Sequence, residues 1–176
     1  MMMDFVPEFS RFFALDKGHS GVVHFRAKAD ETELEALAKR FDLRGMKNLV
    51  VEFTIKPHGR EVGAYDLTGV GQVDVIQVCV ISSKDVPAHV DFSFHTKLME
   101  GVEQPIDESD LSFLEEETDI DYYQNGQVDL GEIAAQYLSL SLDPYPRSPD
   151  AGELNEKVEE NVSEKVSPFA VLHKLK

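Results

Sequence analysis

The side chains in this chain that could do chemistry are mostly carboxylates. Residues 98–146 contain 13 Asp and Glu and no Lys or Arg, so most of the formal charge of −16 lies there. The densest run is Asp107, Glu108, Asp110, Glu115, Glu116, Glu117, Asp119 and Asp121, followed by Tyr122 and Tyr123. A block of one sign repels phosphate backbones and attracts cationic surfaces. These ten residues are therefore the candidate contact for a basic protein. A solvated loop that only aids solubility would have the same composition.

The opposite charge clusters earlier. Lys39, Arg40, Arg44, Lys47, Lys56 and Arg60 gather around the end of a predicted helix, and Arg26 and Lys28 lie on the strand before it. If they converge they could contact RNA phosphates. Otherwise they are ordinary surface charge.

Catalytic patterns find little support. Cys79 lies in Val78-Cys79-Val80-Ile81, an apolar run where a small buried thiol is usual. No second cysteine exists to build a Cys-x-x-Cys pair. The six histidines are His19, His24, His58, His89, His95 and His173, and none forms a His-Glu-x-x-His helix. On a regular strand His89 and His95 would stand about 20 Å apart, too far to share a metal. Thr68-Gly69-Val70-Gly71-Gln72 lacks the later glycine and the Lys-Ser or Lys-Thr of a phosphate loop. Asp119 and Asp121 lack the other ligands of a calcium loop. The expectation is no catalytic residue, no metal and no cofactor. An enzyme, such as a metal-dependent hydrolase with an unfamiliar site, stands as an alternative.

Positioning these residues falls to 176 residues that are 42% hydrophobic, enough for a real core. No run approaches the roughly 20 apolar residues of a membrane helix. One cysteine, and no basic-then-apolar leader, fit a cytoplasmic protein.

Phe5, Val6, Phe9, Phe12 and Phe13 predict an N-terminal strand or irregular segment pinned to the core. Val22–Lys28 alternates as a strand. Asp30 and Glu33 form a capping box for a helix over 31–41, with Leu34, Leu37, Ala38 and Phe41 as its apolar stripe and Gly45 as its stop. From Leu49 the period is two, and Pro57-His58-Gly59-Arg60 reads as a turn. Val62–Val80 is extended, with Gly63, Gly69 and Gly71 suggesting a bulge, bend or break. A turn at Ser82–Asp85 leads to a strand over Val86–Leu98. Asp129, with Glu132 three residues on, starts a second helix that Pro144 and Pro146 end.

Together these predict an α+β fold: an antiparallel β meander, or a partly closed barrel-like sheet, packed by two main helices. One domain over 1–147 includes an acidic segment, 98–128, expected as a loop. Residues 148–176 read as a polar, flexible C-terminal tail, although Pro168–Leu172 is apolar enough to dock on something.

Two stretches carry a resemblance. Gln77-Val78-Cys79-Val80-Ile81-Ser82-Ser83-Lys84-Asp85-Val86-Pro87 resembles the strand end, turn and strand start of the bacterial YceD family, the large ribosomal RNA accumulation proteins. Asp119–Glu132, the helix through Tyr137, Leu138, Leu140 and Leu142, and Asp143-Pro144-Tyr145-Pro146 resemble its acidic loop, helix start and proline-ended helix. The ending Pro168–Lys176 is also similar. Many members have further cysteines beyond the prolines; this chain has none there. The resemblance implies a role in production or accumulation of large-subunit ribosomal RNA. Joined to the acidic block and the lack of catalytic patterns, it predicts a non-enzymatic accessory factor, supporting that accumulation or ribosome assembly, whose partner is a basic ribosomal or rRNA-processing protein, with precursor ribosomal RNA as a second candidate.

Overall fold

The computed structural model describes residues 7–15, 21–59, 61–101 and 119–151. Among the described residues seven strands and two helices follow in the order β1 (Phe12–Ala14), β2 (Val23–Lys28), α1 (Glu31–Arg40), β3 (Gly45–Pro57), β4 (Ala64–Val78), β5 (Asp85–Glu100), β6 (Asp119–Tyr123), β7 (Gln127–Asp129) and α2 (Leu130–Ser141). Strands β2-β3-β4-β5-β6 form one open sheet in that order, and β1 pairs with β7 in a second, two-stranded sheet. The fold is α+β, as the alternation of periods predicts, but the sheet does not close into a barrel.

Strands β2 to β5 are antiparallel neighbours. β6 departs from a meander: it runs parallel to β5, from Thr96 opposite Asp119 to Glu100 opposite Tyr123. A parallel neighbour cannot be reached by a tight hairpin. The last part of the expected acidic loop, Asp119–Tyr123, is thus an edge strand.

The period-2 pattern decides which face is buried. Val51, Phe53 and Ile55 of β3, Leu67, Val73 and Val75 of β4, and Phe92, Phe94 and Leu98 of β5 all enter one core. Leu37 and Ala38 of α1 and Ile133, Ala134 and Leu138 of α2 join it, so both helices cover the same face. The N-terminal segment is pinned as expected, but by Phe9, which is fully buried; Phe12 is exposed. Phe5 and Val6 lie outside the described residues.

The glycines of β4 are not breaks. Its register with β5 runs uninterrupted from Ala64–Met99 to Val78–Asp85. A Cβ on Gly69 would stand 2.1 Å from Phe94 Cζ, and one on Gly71 2.4 Å from Phe92 Cζ. The missing side chains make room for the rings.

The capping box of α1 forms: Asp30 accepts from Glu33 N–H, and Glu33 accepts from Asp30 N–H, both at 2.9 Å. Gly45 does not stop that helix. It ends at Phe41, Asp42 turns the chain with φ +54°, and Gly45 already belongs to β3, opposite Ile76. Asp129 caps α2 by accepting from Gly131 and Glu132 N–H. Glu132 does not complete a box there, because Arg40 of α1 takes its carboxylate.

Residues 148–151, placed in the tail by composition, pack against the β4–β5 turn. Val80 N–H donates to Pro146 O, Ser148 is buried against Ser82, and Lys84 pairs with Asp150. The rest of the expected tail lies outside the described residues. No helix among the described residues is long and apolar enough to cross a membrane.

Candidate partner-binding surfaces

Six of the ten candidate acidic-side contacts, Asp107, Glu108, Asp110, Glu115, Glu116 and Glu117, lie outside the described residues. The other four sit on β6, and its pairing with β5 sorts them by face. Tyr123 faces the core, is 3% exposed, and donates its hydroxyl to Gly63 O at 2.9 Å. It is a packing residue. Tyr122, on the other side, is 42% exposed.

Asp119 and Asp121 point toward the helix-covered side, at the rim where α2 meets β5. Tyr137 of α2 stacks on Phe94 with ring centroids 4.5 Å apart and donates its hydroxyl to Asp119 at 3.0 Å. Burial, and then that carboxylate, push the Tyr137 phenol up to about 12. Thr96 Oγ1 donates to the Asp119 carbonyl at 2.9 Å. Asp121 is more enclosed, and its Oδ2 is buried without a hydrogen-bond partner. Desolvation holds its carboxyl above the usual aspartate value, with Thr96 opposing and Asp119 adding to the shift. Among the described residues no Lys or Arg pairs with either carboxylate, so the corner is a poor place for a phosphate.

The predicted cationic cluster divides. Arg40 is a strut: its guanidinium binds both Glu132 oxygens at 2.8 Å and Glu8 at 3.0 Å, tying α1 to α2 and to the N-terminal segment. The hydrogen bonds it donates to Glu132 raise its pKa further. Lys39, Arg44 and Lys47 do come together, with Lys28, along a groove of about 1120 Å³ between α1 and the start of β3. Asp30, Glu31, Glu35 and Asp42 line the same groove, so its charges balance. Leu34, Ala38, Leu43 and Met46 supply its apolar part. A balanced groove does not favour a polyanion. Lys56 stands apart on the other side of the sheet, 3.8 Å from Asp66. Arg60 lies outside the described residues.

Sequence reasoning missed the bidentate pair of Arg11 with Glu33, at 2.6 and 2.8 Å, which lowers the Glu33 carboxyl. Partners 22 residues apart leave no periodic signal. Cys79 is buried, and its Sγ accepts from Ser82 N–H at 3.4 Å and Ser148 N–H at 3.3 Å. Hydrogen bonding from Ser82, and then from Ser148, draws the thiol down to about 6. Enclosed on all sides, it works as an acceptor that ties 148–151 to the β4–β5 turn. Among the described residues no three His, Cys, Asp or Glu side chains converge as metal ligands.

Compared with known families, the chain matches one model, described as large ribosomal RNA subunit accumulation protein YceD, over residues 67–176. No curated protein and no solved structure matches the chain. The matched region begins inside β4 and takes in β5, β6, β7 and α2.

Proposed function

The chain belongs to the YceD family of large ribosomal RNA subunit accumulation proteins, and we propose that it serves as a non-enzymatic accessory factor in the cytoplasm. In this reading it captures a basic ribosomal or rRNA-processing protein on its acidic segment and so supports accumulation of large-subunit ribosomal RNA. One observation carries the reading: 13 carboxylates and no Lys or Arg over residues 98–146, inside the matched region. The pair Asp119 and Asp121, which no Lys or Arg among the described residues meets, is consistent with it. Electrostatic capture of this kind is fast, and salt weakens it.

The test is recovery of partners from lysate on the whole chain at low and high salt, against a variant with Asp107, Glu108, Asp110, Glu115, Glu116 and Glu117 changed to Asn or Gln. The native chain should retain basic ribosomal or processing proteins at low salt and release most of them at high salt. The neutralised variant should lose them and lower large-subunit ribosomal RNA in cells. Equal capture by both chains would refute the acidic-segment mechanism.

A further inference from the structure

The groove between α1 and the start of β3 has an apolar floor in which Ala38 and Met46 are buried and Leu34 and Leu43 only half-buried. Its rims carry both signs of charge. Glu31, Glu35 and Asp42 on the α1 side are exposed and meet no cation among the described residues. Lys28, Lys39 and Lys47 are exposed and equally unpaired there, while Arg44 stands 3.9 Å from Asp85. Such a groove suits a segment with an apolar stripe and charges of both signs, and suits neither a polyanion nor a polycation.

A second hollow, of about 400 Å³, shares Gly45, Met46 and Lys47 with the groove and runs on past Ile76 to Pro87 near the start of β5. At that same end of the sheet Lys84 pairs with Asp150, Asp85 meets Arg44, and Ala151 is buried. The chain therefore passes Ala151 at the mouth of a track that leads into the groove. Three longer stretches lie outside the described residues, and they differ in fit. Residues 1–6 lead to Glu8, which is bound to Arg40 on the side of α1 turned toward α2, away from the groove. Residues 102–118 carry seven carboxylates and no Lys or Arg, and would meet as many carboxylates as cations in the groove. Residues 152–176 carry five Glu and four Lys, the mixed charge that the rims match. Within them Ser167-Pro168 has the pattern of a helix cap followed by its first residue. Phe169, Leu172 and Leu175 then recur every third residue, one apolar stripe on a helix.

We propose that residues 168–176 fold back as a short amphipathic helix and occupy the α1–β3 groove of their own chain. Phe169, Leu172 and Leu175 lie over Leu34, Leu43 and Met46. Lys174 and Lys176 run along the rim that carries Glu31, Glu35 and Asp42. The 17 residues between Ala151 and Phe169 are long enough. They reach about 55 Å if extended and about 25 Å if helical, while β5 and β3 stand two strand spacings, about 10 Å, apart. The docking is independent of the partner-capture reading above, and it makes the groove a seat for this chain's own segment.

The experiment places a photoreactive group in the whole chain as Phe169→p-benzoylphenylalanine. Illumination should give adducts on peptides carrying Leu34, Leu43 or Met46. When heavy- and light-isotope chains are mixed, those adducts should stay within one chain. Adducts only between copies, or only on residues 102–118 or the outward face of the sheet, overturn the proposal. Adding Glu31→Lys and Glu35→Lys should lower the adduct yield about twofold at low salt, since these exposed pairs are weak; an unchanged yield overturns the placing of the two lysines. Hydrogen exchange then compares the native chain with the triple variant Phe169→Ser, Leu172→Ser, Leu175→Ser. Amides of residues 34–48 should exchange about threefold faster or more in the variant, with β4 and β5 unchanged as the folding control. Equal exchange over 34–48 in both chains overturns the proposal. If exchange quickens throughout the variant, the photoadduct, which needs one changed residue, decides.

Discussion

On the helix-covered face of the sheet, Phe94 lies over Gly69 and stacks on Tyr137; across the same backbone, Lys56 and His95 stand loosely around Asp66. The covered face is governed by shape. A single added carbon there meets a ring at about van der Waals overlap, because interiors pack as densely as organic crystals. The open face is governed by charge: Arg26–Glu52, Lys56–Asp66 and Arg44–Asp85 stand 3.7–3.9 Å apart, and His58–Asp66, His89–Asp74 and Lys97–Glu61 2.6–2.8 Å apart. Pairs of that kind add little to stability. One face therefore holds the molecule together, and the other is free to specify what approaches it. Substitutions on the two faces should separate accordingly.

The sharpest break falls on the covered face. Gly69→Val should cost about 3 kcal/mol or more, because overpacking forces Phe94 off Tyr137 or bends β4. Leu138→Ala, fully buried on α2, belongs in the same range of about 2–5 kcal/mol by loss of transfer energy and an unfilled cavity. Urea unfolding measures both. A Gly69→Val chain as stable as the native one would mean that the rings do not set the sheet's geometry.

Next comes the link between helices. Arg40→Met keeps the stem of the side chain and removes the bonds to Glu132 and Glu8. The carboxylates are partly wet, so the loss should be about 1–2 kcal/mol, reduced by solvent screening. Arg40→Lys should recover only part of it, since an ammonium cannot reproduce the bidentate fork.

These two results also measure what could be read from residues alone. Alternation located β2 through β5 and which side each buries. The Asp30–Glu33 box and the Asp129 cap located both helix starts. These are local signals, each complete within a few residues. What escaped is non-local. Glycines in β4 read as breaks until Phe92 and Phe94, some 20 residues on, are seen to occupy their space. Arg40 reads as one of a cluster until Glu132, 92 residues away, is seen to hold it. The parallel pairing of β6 likewise has no mark in its own five residues. Of the candidate contacts, the grouping of Lys39, Arg44 and Lys47 is legible in the sequence, but the meeting of Asp30, Glu31, Glu35 and Asp42 with them in one groove is not. The open face is half legible, in the outward parity of Arg26 and Lys28.

A smaller effect distinguishes the acidic edge from both faces. Burial raises the Asp121 carboxyl above its ordinary 3.8. The fold therefore binds this proton more tightly than the unfolded chain does. Its contribution to stability is fully present below the ordinary aspartate range and is lost as pH rises through the raised value. At neutral pH the ionised, incompletely bonded group is a cost. Asp121→Asn should raise stability at pH 7, by an amount reduced by solvent screening, and the gain should shrink as pH falls through the aspartate range. Unfolding midpoints measured from pH 3 to 8 test the sign; a variant less stable than the native chain at pH 7 would show that the carboxylate is supported there.

The smallest effect on stability is the one that most defines the comparison. Arg26→Ser with Lys28→Ser removes two exposed cations from β2, where Arg26 has only a loose partner in Glu52 and the backbone ladder to β3 is untouched. Each change should alter stability by no more than about 0.5 kcal/mol. Thermal unfolding reads this directly. The two serines also leave a blander edge strand, and charged side chains on edges discourage pairing with other chains. The double variant should therefore stay folded yet self-associate more readily in sedimentation. Stability falling as far as in Leu138→Ala would mean that the open face is a structural surface like its opposite, and the division between shape on one side and charge on the other would not hold.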